Sequence, residues 1–180
     1  MRILNVCLTA LAASAITFSS FAAGSDSTKP PTKTQTTKVC KKGQVWNKKR
    51  KKCVNPQSGM LSDDEVYTAA RELAYDGQFD NALKVLAVAA NPNDPRILNY
   101  KGFANRKAGR VAEGMSYYQA ALKIDPDYIL VRSYMGQAFI SSGDVTSAKN
   151  QLAEIEKRGG SDTWAYASLA KAISGEATEY

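Results

Sequence analysis

Histidine is absent from the 180 residues. Its absence removes the commonest general acid–base, and with it the Ser–His–Asp and Cys–His arrangements of nucleophilic enzymes. Cysteine is scarce, at positions 7, 40 and 53 only. A structural zinc site wants four Cys or His ligands, which this chain cannot supply. The phosphate loop GxxxxGK[ST] and the dinucleotide fingerprint are also missing. Paired acids do occur, at Asp63–Asp64 and Asp125–Asp127. Carboxylates beside helix N-termini are favoured by the macrodipole, and that role accounts for them. The chain is expected not to be an enzyme and to hold no metal or cofactor.

Long apolar runs are scarce too. One, from about Ile3 to Phe18, follows the single early charge at Arg2 and precedes the small residues Ser20 and Ala22. This is the charged, apolar and small-x-small order of a secretory signal peptide, expected over 1–22, with Ala23 as the alternative cut. An uncleaved anchor is the competing reading, but a spanning helix needs roughly 20 apolar residues. Cys7 would leave with the signal. The mature chain is expected to be exported, most naturally to a bacterial periplasm because no glycosylation sequon occurs, with a eukaryotic secretory route as the alternative.

Charge of one sign is nearly lacking in the front third. Residues 1–60 hold 11 Lys or Arg against one acid, Asp26, for +10, whereas residues 61–180 carry −3. Residues 23–39, rich in Thr, Lys and Pro, cannot bury enough apolar surface to offset ordering entropy and are expected to form a flexible linker. Next comes "CKKGQVWNKKRKKC", residues 40–53. With the signal removed, Cys40 and Cys53 are an even pair in an oxidising compartment, which favours a disulfide. Closing a loop of about 15 residues is worth about 3 kcal/mol in the chain-entropy account. Two short extended stretches around a turn are expected inside it, with Val45 and Trp46 as the apolar mass. Its cations are Lys41, Lys42, Lys48, Lys49, Arg50, Lys51 and Lys52. They read either as a solvated segment or as a patch for an anionic envelope component, where each contributes on the order of 1 kcal/mol near an anionic membrane. In an exported chain no nucleic-acid partner is expected. The charge asymmetry suggests two modules.

Beyond residue 60 the composition turns to Ala, Leu, Lys and Glu, and it repeats. Aligning Gly77, Gly109 and Gly143, at spacings of 32 and 34, brings five further columns into register. They are Phe79/Val111/Val145, Ala82/Gly114/Ala148, Leu86/Tyr118/Leu152, Ala89/Ala121/Ile155 and, upstream, Ala70/Gly102/Gly136. Apolar positions within each unit recur at three- and four-residue steps, the period of a buried helical stripe. Each glycine ends one helix and turns the chain into the next. Asp94-Pro95 supplies a cap and a first-turn proline, and Asp125-Pro126 marks the following boundary. One helix pair cannot hide its apolar face, but three stacked pairs can.

These residues resemble the tetratricopeptide repeat family. The third unit carries Gly136, Phe139, Gly143, Ala148 and Leu152 in the expected places. The second carries Gly102, Gly109, Tyr118, Ala121 and "IDP" at Ile124–Pro126, and the first keeps Ala70, Leu73, Gly77, Ala82, Leu86 and Ala89. Lys101, Asn105 and Gly114 depart from the pattern, standing where the family usually places Leu, Tyr and Ala. The resemblance implies an all-α, right-handed superhelical stack with three repeats over 61–160. "SDTWAYASLAKAI" would then cap the open edge over 161–174, with Ser161 as N-cap and Trp164, Leu169 and Ile173 facing inward, and "SGEATEY" is expected to fray. The family's groove is lined by the first helix of each unit. That nominates Tyr67, Arg71, Asn99, Phe103, Arg106, Ser133, Gln137 and Ile140 for holding a peptide segment or helix of another protein. The groove that clamps a C-terminal carboxylate uses Lys and Asn across the helices, and the third unit offers no groove-facing cation, so that ligand is not assigned. The leading function is an interaction adaptor, and the alternative is an envelope-associating protein acting through residues 40–53.

Overall fold

The structure is a computed structural model describing residues 32–57 and 59–177. The signal sequence, residues 23–31 of the expected linker and residues 178–180 lie outside the described residues.

The first long helix shows how local sequence sets the elements. Ser62 accepts from the Glu65 backbone while the Glu65 carboxylate accepts from the Ser62 N–H, a reciprocal capping box. Such caps satisfy N–H groups that the helix leaves orphaned. The helix, α2, runs Asp63–Tyr75 and turns into α3 (Phe79–Leu86). Asp94 caps α4 (Pro95–Lys107), with proline in its first turn, and α5 spans Val111–Ile124. The third pair is α6 (Ile129–Ser141) and α7 (Val145–Lys157), and α8 (Trp164–Ser174) follows. Within each pair the turn glycine takes a left-handed φ: 77° at Gly77, 87° at Gly109 and 81° at Gly143. A β-carbon is penalised there, which explains why this column aligned first.

The pairs α2/α3, α4/α5 and α6/α7 pack internally and then on one another, and α8 packs on α6 and α7. The middle pair accommodates its departures from the repeat pattern by close approach. A β-carbon on Gly114 would lie 2.8 Å from the Gly102 carbonyl, and one on Gly102 would lie 2.5 Å from the Tyr118 ring. Asn105, buried, donates to the Lys101 carbonyl and accepts from Arg110 at 2.6 Å. Arg110 in turn reaches Asp80 of α3, tying two pairs together. At the last helix the expected cap moves by two residues. Thr163, not Ser161, accepts from the Tyr166 N–H, because its hydroxyl is also fixed by donation to the Gly160 carbonyl. Leu169 is fully buried against Gly136, while Trp164 and Ile173 are half-buried.

The front segment departs most from expectation. Residues 32–39 are not linker: Gln35–Lys38 form a short helix, α1, capped by Thr34. It is held by Glu72 of α2, which is 4% exposed. The backbone N–H groups of Thr34 and Thr37 donate to Glu72 Oε1 at 2.6 and 3.0 Å, and both threonine hydroxyls donate to the same carboxylate. Hydrogen bonds to a charged acceptor are worth more than neutral ones, so ordering a Thr-rich stretch needs little apolar burial. The strands β1 (Val45–Asn47) and β2 (Lys52–Val54) form the expected antiparallel hairpin, and Cys40 and Cys53 are joined with their Cα atoms 5.5 Å apart. Val45 and Val54 enter the same core as Leu61, Val66 and Leu73. The front segment is therefore not a separate module. It seals the open edge of the first helix pair, as α8 seals the last.

Candidate protein-interaction face

The eight groove positions divide sharply. Tyr67, Asn99, Phe103, Ser133 and Gln137 are buried, at 8, 0, 1, 0 and 5% exposure. Arg71, Arg106 and Ile140 keep partial exposure. The groove expected along the first helices is thus largely filled by the chain's own side chains. Phe103 stacks on Tyr75 with ring centroids 5.2 Å apart and packs on Tyr134 at 4.9 Å. Tyr67 meets Tyr100 edge-on at 5.6 Å, under the Arg96 guanidinium. The phenols are joined, Tyr75 to Tyr134 at 2.5 Å, and Arg71 donates to the Tyr100 hydroxyl at 3.0 Å. Aromatic pairs add about 0.5–1.5 kcal/mol beyond their burial, so this ladder is core and not an open binding strip. Ser133 is closed off by α8, donating to the Ala165 carbonyl at 2.7 Å.

Where the ladder ends, the face opens. A cavity of about 320 Å³ lies among the C-terminal turns of α4, α6 and α8, lined by Arg106, Lys107, Gln137, Ile140, Ser141 and Glu176. Three of its lining residues are groove positions, and α8 and the turn after it complete it. The chain after Ser174 is held by the left-handed Gly175, φ 82°, with the Glu176 N–H donating to the Lys171 carbonyl at 3.0 Å. Glu176 falls in the stretch expected to fray, and Lys107 and Ser141 lie just past the nominated positions. Their only sequence signal was adjacency to the glycine turns.

Arg106 sits with its guanidinium over the Phe103 ring at 5.6 Å and donates through Nε to the Tyr118 hydroxyl at 3.4 Å. Its Nη2, and the Nε2 of Gln137, are buried without an acceptor among the described residues. Leaving such donors unpaired costs about 1–3 kcal/mol each. Lys107 is itself exposed, but partial desolvation by its surroundings, and then the charge of Arg106, hold its ammonium below its ordinary pKa.

The cations of the front segment are placed differently. Lys41, Lys42, Lys48, Lys49, Arg50, Lys51 and Lys52 are all exposed, and none forms an ion pair among the described residues. Five of them make the hairpin turn and its exit, where Asn47 Oδ1 accepts from the Arg50 N–H at 2.8 Å and Lys51 takes φ 49°. Below them a second cavity, of about 250 Å³, separates Trp46 and Val45 from Glu65 and Ala69 of α2.

Two family models, each described as tetratricopeptide repeat, match residues 67–129 and 105–173. The chain belongs to the tetratricopeptide repeat family. Tetratricopeptide repeats generally mediate contacts between proteins and are typically non-catalytic scaffolds. No curated protein and no solved structure matches the chain. Among the described residues no His, Cys, Asp and Glu cluster fit to hold a metal occurs, and no helix is long and apolar enough to cross a membrane. The family match runs from residue 67 to 173 and does not include residues 32–57, so the front cap lies outside the matched repeats.

Proposed function

We propose that this chain is an exported interaction adaptor that holds a segment of another protein at the mouth formed by α4, α6 and α8. The observation that carries the reading is the cavity there, lined by the groove residues Arg106 and Gln137 and by half-buried Ile140. A tetratricopeptide array supplies the rigid frame, and interfaces favour such anchored Arg and apolar groups. Site-specific photo-cross-linking tests it in whole cells. A cross-linker replacing Ile140 should capture a discrete partner, and one replacing exposed Lys149 on α7 should not. Equal capture from both positions, or none from 140, rejects the reading. Export itself is tested by the mature N-terminus, expected at Ala23 or Gly24.

One observation favours a second reading: seven exposed cations without an ion pair among the described residues, five of them on the turn and exit of a disulfide-linked hairpin, suit an anionic envelope component. Binding to anionic vesicles should then fade from low to high salt, as exposed charges are screened within a Debye length. Equal retention on neutral vesicles rejects it.

A further inference from the structure

We infer that the cavity between the basic hairpin and α2 is a glycan subsite, seating one sugar ring of an acidic polysaccharide while the hairpin cations hold the neighbouring charges. The inference rests on the second reading above and names the anionic component it would take. The cavity comes first. At about 250 Å³ it falls below the roughly 300–1,000 Å³ of pockets for drug-sized ligands, so it suits a single small ring. Val45, Trp46 and Ala69 give it an apolar side. Trp46 is half-buried, makes no ring contact, and its indole N–H has no acceptor among the described residues. Gln35 and Thr68 are exposed and line the same space, and neither side chain forms a hydrogen bond among the described residues. A pyranose has the matching division, with C–H groups on one face and hydroxyls around its rim. The C–H groups are drawn to the negative face of an aromatic ring. The hydroxyls both donate and accept, as an amide and a threonine require.

The site is also set in advance. Trp46 stands opposite Cys53 in the hairpin register, and the disulfide ties Cys53 to Cys40. The Trp46 backbone N–H donates to the hydroxyl of buried Thr36 at 3.3 Å. Binding there orders little that is not already fixed. Charge then selects the kind of glycan. Lys48 lines the cavity and leads into Lys49, Arg50, Lys51 and Lys52, all exposed and without an ion pair among the described residues. The two acids of the lining are already engaged. Asp64 pairs with Arg96 at 2.8 Å, and Glu65 accepts from the Ser62 N–H at 3.0 Å. Both stand in the first turn of α2, where the helix end adds partial positive charge. The hairpin side therefore attracts a polyanion. A bilayer fits this surface less well. Among the described residues of the front segment Val39 is the one exposed large apolar side chain, and the hairpin turn has none. Little apolar mass would enter the headgroup boundary. Lipid headgroups held by charge alone would leave Trp46, Gln35 and Thr68 idle.

The test titrates the full processed chain, labelled with ¹⁵N, with three probes. Tetragalacturonate supplies sugar rings and charge, maltotetraose rings alone, and tripolyphosphate charge alone. The readouts are the Trp46 indole N–H and the Thr68 backbone amide, with the Trp164 indole on α8 as the signal that should stay still. Tetragalacturonate should move both readouts, maltotetraose should do so at least about tenfold more weakly, and tripolyphosphate should move only the amides of residues 48–52. Trp46→Ala should abolish the response. Because Trp46 also belongs to β1, Thr68→Met serves as a second variant: it fills the cavity from an exposed helix position without changing charge. It should weaken tetragalacturonate at least about tenfold and leave the tripolyphosphate shifts unchanged. A still Trp46 indole with tetragalacturonate, an equal response to tripolyphosphate or to maltotetraose, or full binding by Thr68→Met would overturn the subsite. The vesicle assay above reads charge without any sugar, so the glycan site and the anionic-envelope reading fail separately.

Discussion

The two ends of the array are sealed by opposite chemistries. At the back, α8 repeats the logic of the helix pairs. Leu169 fills the space that Gly136 leaves open, and a β-carbon on that glycine would come within 2.6 Å of it. At the front, little of the seal is apolar. One carboxylate, Glu72, gathers four donors from Thr34 and Thr37, Lys33 pairs with Asp76 at 3.0 Å, and a disulfide fixes the hairpin behind them. A solenoid edge needs covering, but the cover need not be a further repeat. Where the sequence carries little apolar surface, a cross-link and charge-assisted hydrogen bonds can serve instead.

Breaking the back seal should cost most. Leu169→Ala removes a fully buried side chain and is expected to lower stability by about 3 kcal/mol, read from the urea midpoint. Weakening should centre on α6–α8. A uniform loss of hydrogen-exchange protection that begins at α2 would contradict a local seal. Replacing both Cys40 and Cys53 by serine should cost about 2–3 kcal/mol, with residues 45–54 losing protection first and the array retaining its helical spectrum. If the whole array melts with the hairpin, the two ends are less independent than their chemistries suggest.

Glu72→Gln sharpens the comparison. It keeps the side-chain shape but exchanges a charged acceptor, and about 2 kcal/mol should be lost, concentrated in residues 33–38. A change confined to α2 would mean that the threonines hold without the charge. The smallest effect belongs to a cap inside the array. Asp94→Ala should cost about 1 kcal/mol. Burial pushes the Asp94 carboxyl up, but the Arg96 side-chain and backbone hydrogen bonds together bring it below the ordinary carboxylate range. A carboxyl whose folded pKa is depressed stabilises fully above its unfolded value, about 3.9, and loses that contribution as pH falls through the folded value. The gap between wild type and Asp94→Ala should therefore close only below about pH 4. A gap that is flat down to pH 2 would show that the Arg96 interaction contributes nothing.

Much of the array could be read from the chain. Gly77, Gly109 and Gly143 are forced by a left-handed φ, and Ala82, Gly114 and Ala148 by helix contact, so chemistry and position coincide at each. The candidate interaction face could not be read in the same way. Phe103 and Arg106 are neighbours on one helical face, yet Phe103 is drawn inward by Tyr75 and Tyr134 while Arg106 stays at the cavity mouth. Asn99 has the polarity of a groove residue but is fully buried. Helical spacing says which residues share a side. It does not say how far a neighbouring pair will close over them.

From the sequence alone came the helix pairs, their turns and the pairing of Cys40 with Cys53, because each depends on spacing, on a backbone angle or on a count of thiols. The tertiary structure decided that the Thr-rich stretch from residue 32 is ordered, that the basic hairpin belongs to the array, and that the cavity lies at the ends of α4, α6 and α8. Those outcomes depend on Glu72, Tyr134 and Leu169 reaching residues far along the chain. Local propensity holds no record of such distances until the helices have packed.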